Sequence, residues 1–129
     1  MRALALSLAT ALALLAAGCA SKSDEDQVKE VMGDYIAAAA DGNGEEACKK
    51  VTPESKRAFT TQTKISCEKG IEQISKTLTD EQHEKGKGLE FEAWIDGDRA
   101  TAAYDKPAGP GKNIATLQKR DGDWLIASI

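Results

Sequence analysis

After residue 20 the chain has two parts that differ in the spacing of their apolar residues. Up to about residue 88, apolar residues recur at helical spacing, and the first run contains Val28, Val31, Met32, Tyr35, Ile36 and Ala39. From Leu89 onward, apolar and polar residues alternate, as in a strand with one buried face. We therefore predict an α+β domain in which N-terminal helices pack on an antiparallel sheet of about four strands.

Capping residues predict where the first two helices begin. Asp24 and Gln27 approximate a capping box for the first helix. The turn at residues 41–44 ends that helix. Asn43 and Glu46 have the spacing that begins a second, short helix.

Two further helices are predicted in the next segment. Thr52 before Pro53 is typical of a helix start, and we expect that helix to run through Phe59, with residues 60–64 forming a loop. Ser66 can cap a fourth helix. Its apolar positions fall at i, i+4, i+7 and i+11, which predicts one buried face formed by Cys67, Ile71, Ile74 and Leu78.

The sheet is predicted to follow residues 79–88, a charged, glycine-containing segment that we expect to form one helical turn and then a linker. The expected strands are residues 89–95, 99–105, 113–120 and 124–129. Asp96-Gly97 and Asp121-Gly122 predict hairpins, because glycine accepts the positive φ that a type I′ turn requires. Trp94 falls on the polar phase of the first strand, which indicates an exposed aromatic for contact with a partner. The alternative is that sheet curvature or a loop covers the ring.

Composition excludes several functional classes. The 129-residue chain has a formal net charge of −4, with acids and bases interspersed and no basic cluster, so we expect no nucleic-acid partner. The only histidine is His83, in a charged segment, and we predict no metal site. The sequence contains neither a nucleophile motif nor a phosphate-binding loop, and we assign no catalytic residue and no cofactor.

The N-terminal segment has the pattern of an export signal. Arg2 precedes an apolar run at residues 3–17, and this run is too short to span a bilayer comfortably. Residues 15–19 read Leu-Ala-Ala-Gly-Cys and resemble a bacterial lipobox. The resemblance implies a signal peptide at residues 1–18, cleavage between Gly18 and Cys19, and a lipid on Cys19. The alternative is an ordinary secretory peptide cleaved near Ala20.

Lipidation would make the bilayer a partner of this protein. Cys19 would hold it, through a short tether at residues 19–23, on the extracytoplasmic side of the cell membrane or the outer membrane. Ala20 after the cysteine is compatible with outer-membrane delivery, by resemblance to the sorting rules of two-membrane bacteria.

Two cysteines remain beyond the lipobox. In an exported protein the pair Cys48 and Cys67 indicates a disulfide, and closing a loop of this length contributes about 3 kcal/mol in the chain-entropy view. The alternative is a pair of buried free thiols.

Several short motifs resemble one superfamily. Residues 31–48 are similar to the first helix, glycine/aspartate turn and second helix of the nuclear transport factor 2-like superfamily, and residues 121–126 resemble its last hairpin. Ala47-Cys48 with Thr52-Pro53, and then Ser66-Cys67-Glu68, are similar to exported lipoproteins of this fold. The resemblance implies that residues 24–129 form a cone of helices wrapped by a curved sheet.

The same resemblance leaves three functions open. The superfamily includes ketosteroid isomerases and dehydratases as well as binding domains without catalysis. Tyr35 matches the oxyanion-stabilising tyrosine of the isomerases, but Glu54 is the only acid in the segment that would supply their base. We therefore expect a non-enzymatic module for a small apolar ligand or an envelope protein. An isomerase and a structural lipoprotein without ligand are the alternatives. The expected pocket residues are Tyr35, Phe59, Tyr104 and Trp124.

Overall fold

The computed structural model describes residues 21–106 and 110–129, and within them it confirms the α+β class. The helices are α1 (Asp24–Ala40), α2 (Gly44–Lys49), α3 (Pro53–Thr63), α4 (Cys67–Thr77) and α5 (Asp80–Lys87). The strands are β1 (Glu92–Asp96), β2 (Arg99–Asp105), β3 (Lys112–Arg120) and β4 (Asp123–Ser128).

Three of the predicted helix starts are confirmed. The side chains of Asn43, Thr52 and Ser66 accept hydrogen bonds from the backbone N–H three residues later, at the starts of α2, α3 and α4. The predicted cap of α1 is wrong by one residue. Ser23, not Asp24, is the N-cap, and its hydroxyl accepts from the N–H of Asp26 at 3.1 Å.

Two segments predicted to be mainly irregular are helical. α3 continues to Thr63 and ends where Lys64 adopts a left-handed conformation with φ 64°, so the predicted loop at residues 60–64 is wrong. α5 spans eight residues rather than one turn, and it begins with a complete capping box between Thr79 and Gln82. Both segments are polar, so no apolar period marked them as helical.

The sheet is an antiparallel meander in the order β1-β2-β3-β4. Asp121 and Gly122 have φ values of 52° and 87°, which confirms the predicted type I′ turn between β3 and β4. In the first hairpin the turn residues are Gly97 and Asp98, and only Gly97 has positive φ. That hairpin therefore has the pattern of a type II′ turn rather than the predicted type I′ turn.

The main core lies between α1 and one face of the sheet. Val28 and Met32 of α1 are fully buried against small and large strand side chains, which include Ala102, Ala115, Leu117, Trp124 and Ile126. Asp24 fixes the start of α1 to the last hairpin, because its carboxylate accepts from Lys119 Nζ at 2.7 Å and from Trp124 Nε1 at 3.0 Å.

A second, smaller core joins α2 to α4. It contains Ala47, Ile71 and the disulfide between Cys48 and Cys67, whose Cα atoms are 6.1 Å apart, so the predicted pairing is present. The two helices approach closely at Gly44, where an added Cβ would lie 2.7 Å from the Cα of Glu68. The two cores, the sheet and the disulfide all lie within residues 21–129, which therefore contain what a domain needs to fold independently.

Candidate functional site

An open cleft of about 390 Å³ lies between α3 and α4 and is bounded by the end of β4. Its volume falls at the small end of the range of about 300–1,000 Å³ that is usual for small-molecule sites. Most of its wall is apolar, and the apolar side chains are Val51, Ala58, Phe59, Ile71, Ile74, Ile126, Ala127 and Ile129.

Hydrogen bonds between α3 and the sheet position one side of the cleft. The segment before α3 runs beside β4, with Thr52 N–H donating to the carbonyl of Ile126 at 2.9 Å and Ile126 N–H donating to Lys50 at 2.7 Å. The Ser55 hydroxyl, one turn into α3, donates to the carbonyl of Ala127. These contacts tie the first turn of α3 to the last strand.

A glycine allows α3 and α4 to approach on the other side of the cleft. The ring of Phe59 lies directly over Gly70, where an added Cβ would stand 2.5 Å from the ring. Phe59 therefore covers the backbone of α4, and the side chains of Ile71 and Ile74 form the wall beside it.

Tyr35 of α1 also lines the cleft. Burial, and secondarily the neighbouring Tyr104, raise the pKa of Tyr35 above its usual value. The hydroxyl is therefore neutral at physiological pH, and a neutral hydroxyl can both donate and accept a hydrogen bond.

Charged side chains are scarce in the cleft. Among the described residues that line it, Lys56 has the only ionised side chain, and none is Asp, Glu or His. Ile129, which ends the described chain with a main-chain carboxylate, also lines the cleft and forms no ion pair with Lys56. Glu54 does not line the cleft, and its carboxylate lies 2.7 Å from Arg120 and 3.8 Å from Arg57. A hydrogen bond to its own backbone N–H, and then Arg120, lower the pKa of Glu54, so it is an ionised partner of arginines at neutral pH.

Two of the four expected pocket residues line the cleft, and the other two are buried in the main core. Tyr35 and Phe59 both line the cleft. Tyr104 is buried on the inner face of the sheet, where its ring packs on Phe91 with centroids 5.5 Å apart. Trp124 is buried beneath the start of α1 and donates to Asp24. Neither lines the cleft.

The prediction of one buried face on α4 is only half right. Ile71 is buried, whereas Ile74 is 53% exposed at the cleft. The helical period identified both residues as apolar, but it did not show that one of them faces an opening. Lys56 and the residues at the end of β4 were not predicted as site residues, because nothing local in the sequence distinguishes them.

Trp94 is 55% exposed on the outer face of the sheet, as its polar phase predicted. It stands in a row with Thr101 and Thr116, and Ile114 on the same face is 54% exposed. This exposure contradicts the alternative in which a loop or the sheet itself covers the indole. The outer face thus carries two large exposed apolar side chains.

The remaining predictions concern metal, membrane and anchor. Within residues 21–106 and 110–129, no group of three His, Cys, Asp or Glu side chains is arranged to hold a metal ion. No helix in that part of the chain has both the length and the apolarity needed to cross a bilayer. Gly18 and Cys19, the predicted cleavage and lipidation positions, lie outside the described residues.

No protein-family model, curated protein or solved structure matches this chain.

Proposed function

We propose that this protein is a lipid-anchored, extracytoplasmic binding module that holds a small apolar ligand in the cleft between α3 and α4. The cleft itself carries the proposal. It is open and mostly apolar, Tyr35 with its neutral hydroxyl lies in its wall, and it has no Asp or Glu side chain among its described lining residues. Such a site can bind and orient a ligand through burial of apolar surface and one hydrogen bond.

The anchor and compartment in this proposal come from the sequence. The lipobox-like residues 15–19 support lipidation of Cys19 and an anchor in the cell membrane or the outer membrane. The Cys48–Cys67 disulfide supports an exported protein, because such bonds persist in oxidising compartments. Helices packed on one face of a four-stranded antiparallel sheet are compatible with a nuclear transport factor 2-like cone, which is part of the proposal.

Binding fits this site better than isomerase chemistry. Proton transfer of the ketosteroid isomerase type needs a carboxylate base beside the substrate and a donor for the developing enolate. Tyr35 could be that donor, but the cleft has no Asp, Glu or His side chain among its described lining residues to act as the base. Glu54 is held by Arg120, which stabilises its charged form.

Two isoleucines of nearly equal exposure provide a matched test. Ile74 lines the cleft, while Ile114 lies on the outer face of the sheet. Residues 21–129 are purified without detergent, and native mass spectrometry records any co-purified ligand. The same preparation is titrated with decanol by calorimetry. We expect Ile74→Gln to weaken decanol binding and Ile114→Gln to leave it unchanged. Absence of binding to the unsubstituted domain, or equal loss in both variants, would contradict the proposal.

The outer face of the sheet supports a second candidate, contact with an envelope protein. The specific observation is the exposure of Trp94 together with Ile114. Large exposed apolar side chains on one face are typical of contact sites. In that case Trp94→Ala would abolish site-specific cross-linking to one defined envelope protein in cells, whereas Ile74→Gln would not. Unchanged cross-linking in Trp94→Ala would remove this candidate.

A further inference from the structure

We propose that the cleft selects a single-chain amphipathic carboxylate, of the fatty-acid class, whose headgroup pairs with Lys56. This inference rests on the proposed apolar-ligand function and names the chemistry of the ligand. The observation behind it is an asymmetry of side-chain charge, since the wall is largely apolar and its one ionised side chain is a cation that forms no ion pair in the described chain.

Lys56 stands at the rim of the cleft, because it also borders a neighbouring surface depression next to Thr60 and Glu68. Its side chain is neither fully buried nor fully exposed. A lysine in this position can lay its aliphatic stem along the apolar wall and keep its ammonium in water. A ligand would then place its tail among the isoleucines and its charge near solvent.

The ammonium of Lys56 forms no ion pair with an acidic side chain of the described residues. Glu68 shares the neighbouring depression but forms no ion pair with Lys56. Glu54, two residues earlier on α3, faces another side of the helix and pairs with Arg120 and Arg57. A ligand carboxylate would therefore compete with water rather than with an internal partner.

The number of charges and the size of the cleft narrow the ligand class. One ammonium matches a carboxylate, with a single negative charge, better than a phosphate monoester, which carries about −1.5 to −2 at pH 7. A volume of about 390 Å³ suits one medium-length chain rather than a two-chain lipid. The neutral hydroxyl of Tyr35 adds no second charge to the wall.

The test compares decanoate with decanol, which have the same chain length and differ in headgroup charge. Both are titrated by calorimetry into residues 21–129 at pH 7.5, below their aggregation concentrations. Decanoate is expected to bind more tightly than decanol. Lys56→Gln is expected to weaken the affinity for decanoate about three- to tenfold more than the affinity for decanol. Lys56→Arg should retain the preference for decanoate.

Arg57→Gln is the matched control, because Arg57 is the adjacent cation on α3 and does not line the cleft. It should leave both affinities unchanged. Equal affinity for the two compounds, or equal weakening of both by Lys56→Gln, would overturn the carboxylate proposal while the apolar site stands. A parallel loss of decanoate affinity in Arg57→Gln would also overturn it, since the effect would then be general electrostatic attraction. If neither compound binds, the proposed function fails as well.

Discussion

The disulfide between Cys48 and Cys67 should supply a large share of the stability of this domain. It links residues that are 19 positions apart and joins α2 to α4. A cross-link of this span lowers the entropy of the unfolded chain, which raises the free energy of unfolding by about 3 kcal/mol at 25 °C. A domain of this size has a total stability of roughly 5–15 kcal/mol, so the loss would be severe without abolishing folding in every case.

Reduction of the native protein isolates this contribution, because both sulfur-bearing side chains remain in place. Urea unfolding of residues 21–129 is followed by far-ultraviolet circular dichroism, with and without a reductant. With a slope of about 2 kcal/mol per molar urea, a loss of about 3 kcal/mol lowers the midpoint by roughly 1.5 M. The double variant Cys48→Ala/Cys67→Ala should be insensitive to the reductant, which controls for effects of the reagent itself.

The packing around the bond sets the second expectation for this experiment. Cys48 is 1% exposed, whereas Cys67 lies partly exposed at the cleft. Replacing both by alanine should therefore cost somewhat more than reduction alone, because the buried site also loses packing. If reduction shifts the midpoint by less than about 0.25 M at an unchanged slope, the loop-entropy reasoning is refuted for this protein.

Three further predictions concern close packing, pH and the anchor. Gly44→Ala should lower stability by about 1–3 kcal/mol, because the new methyl group meets the backbone of Glu68, and thermal melting checks this. Gly33 lies in the middle of α1, and an added Cβ there would stand 3.8 Å from the ring of Phe91, an ordinary contact distance. Gly33→Ala should therefore be neutral or stabilising, and equal losses of stability in both variants would contradict the packing argument. Hydrogen bonds from Lys119, then from Trp124, lower the pKa of Asp24. Its contribution to stability is therefore present above its unfolded pKa of about 3.9 and is lost as pH falls through the folded value. Urea midpoints should show wild type more stable than Asp24→Asn at pH 7, with the difference shrinking at pH 3, and a pH-independent difference would count against this account. Full-length protein expressed in bacteria fed labelled palmitate should incorporate label that Cys19→Ser lacks, and equal labelling of both would reject the lipid anchor.

The sequence by itself determined the features that depend on neighbouring residues. Caps at Asn43, Thr52 and Ser66 are local, because a side chain bonds to a backbone group three residues away. The Asp121-Gly122 turn is local for the same reason, since two adjacent residues carry the positive φ. The sequence also allowed the cysteine pairing to be predicted, because only two cysteines remain beyond the lipobox.

The cleft was decided only by the tertiary structure. Its wall combines α1, α3, α4 and the end of β4, and nothing in the local pattern states how far apart these elements pack. Ile71 and Ile74 belong to the same helical period, yet one is buried and the other faces the opening. Conversely, the aromatic residues Tyr104 and Trp124 are drawn into the core between α1 and the sheet. A periodic pattern specifies which side of an element is apolar, whereas the distance to the next element determines whether that side is filled or open.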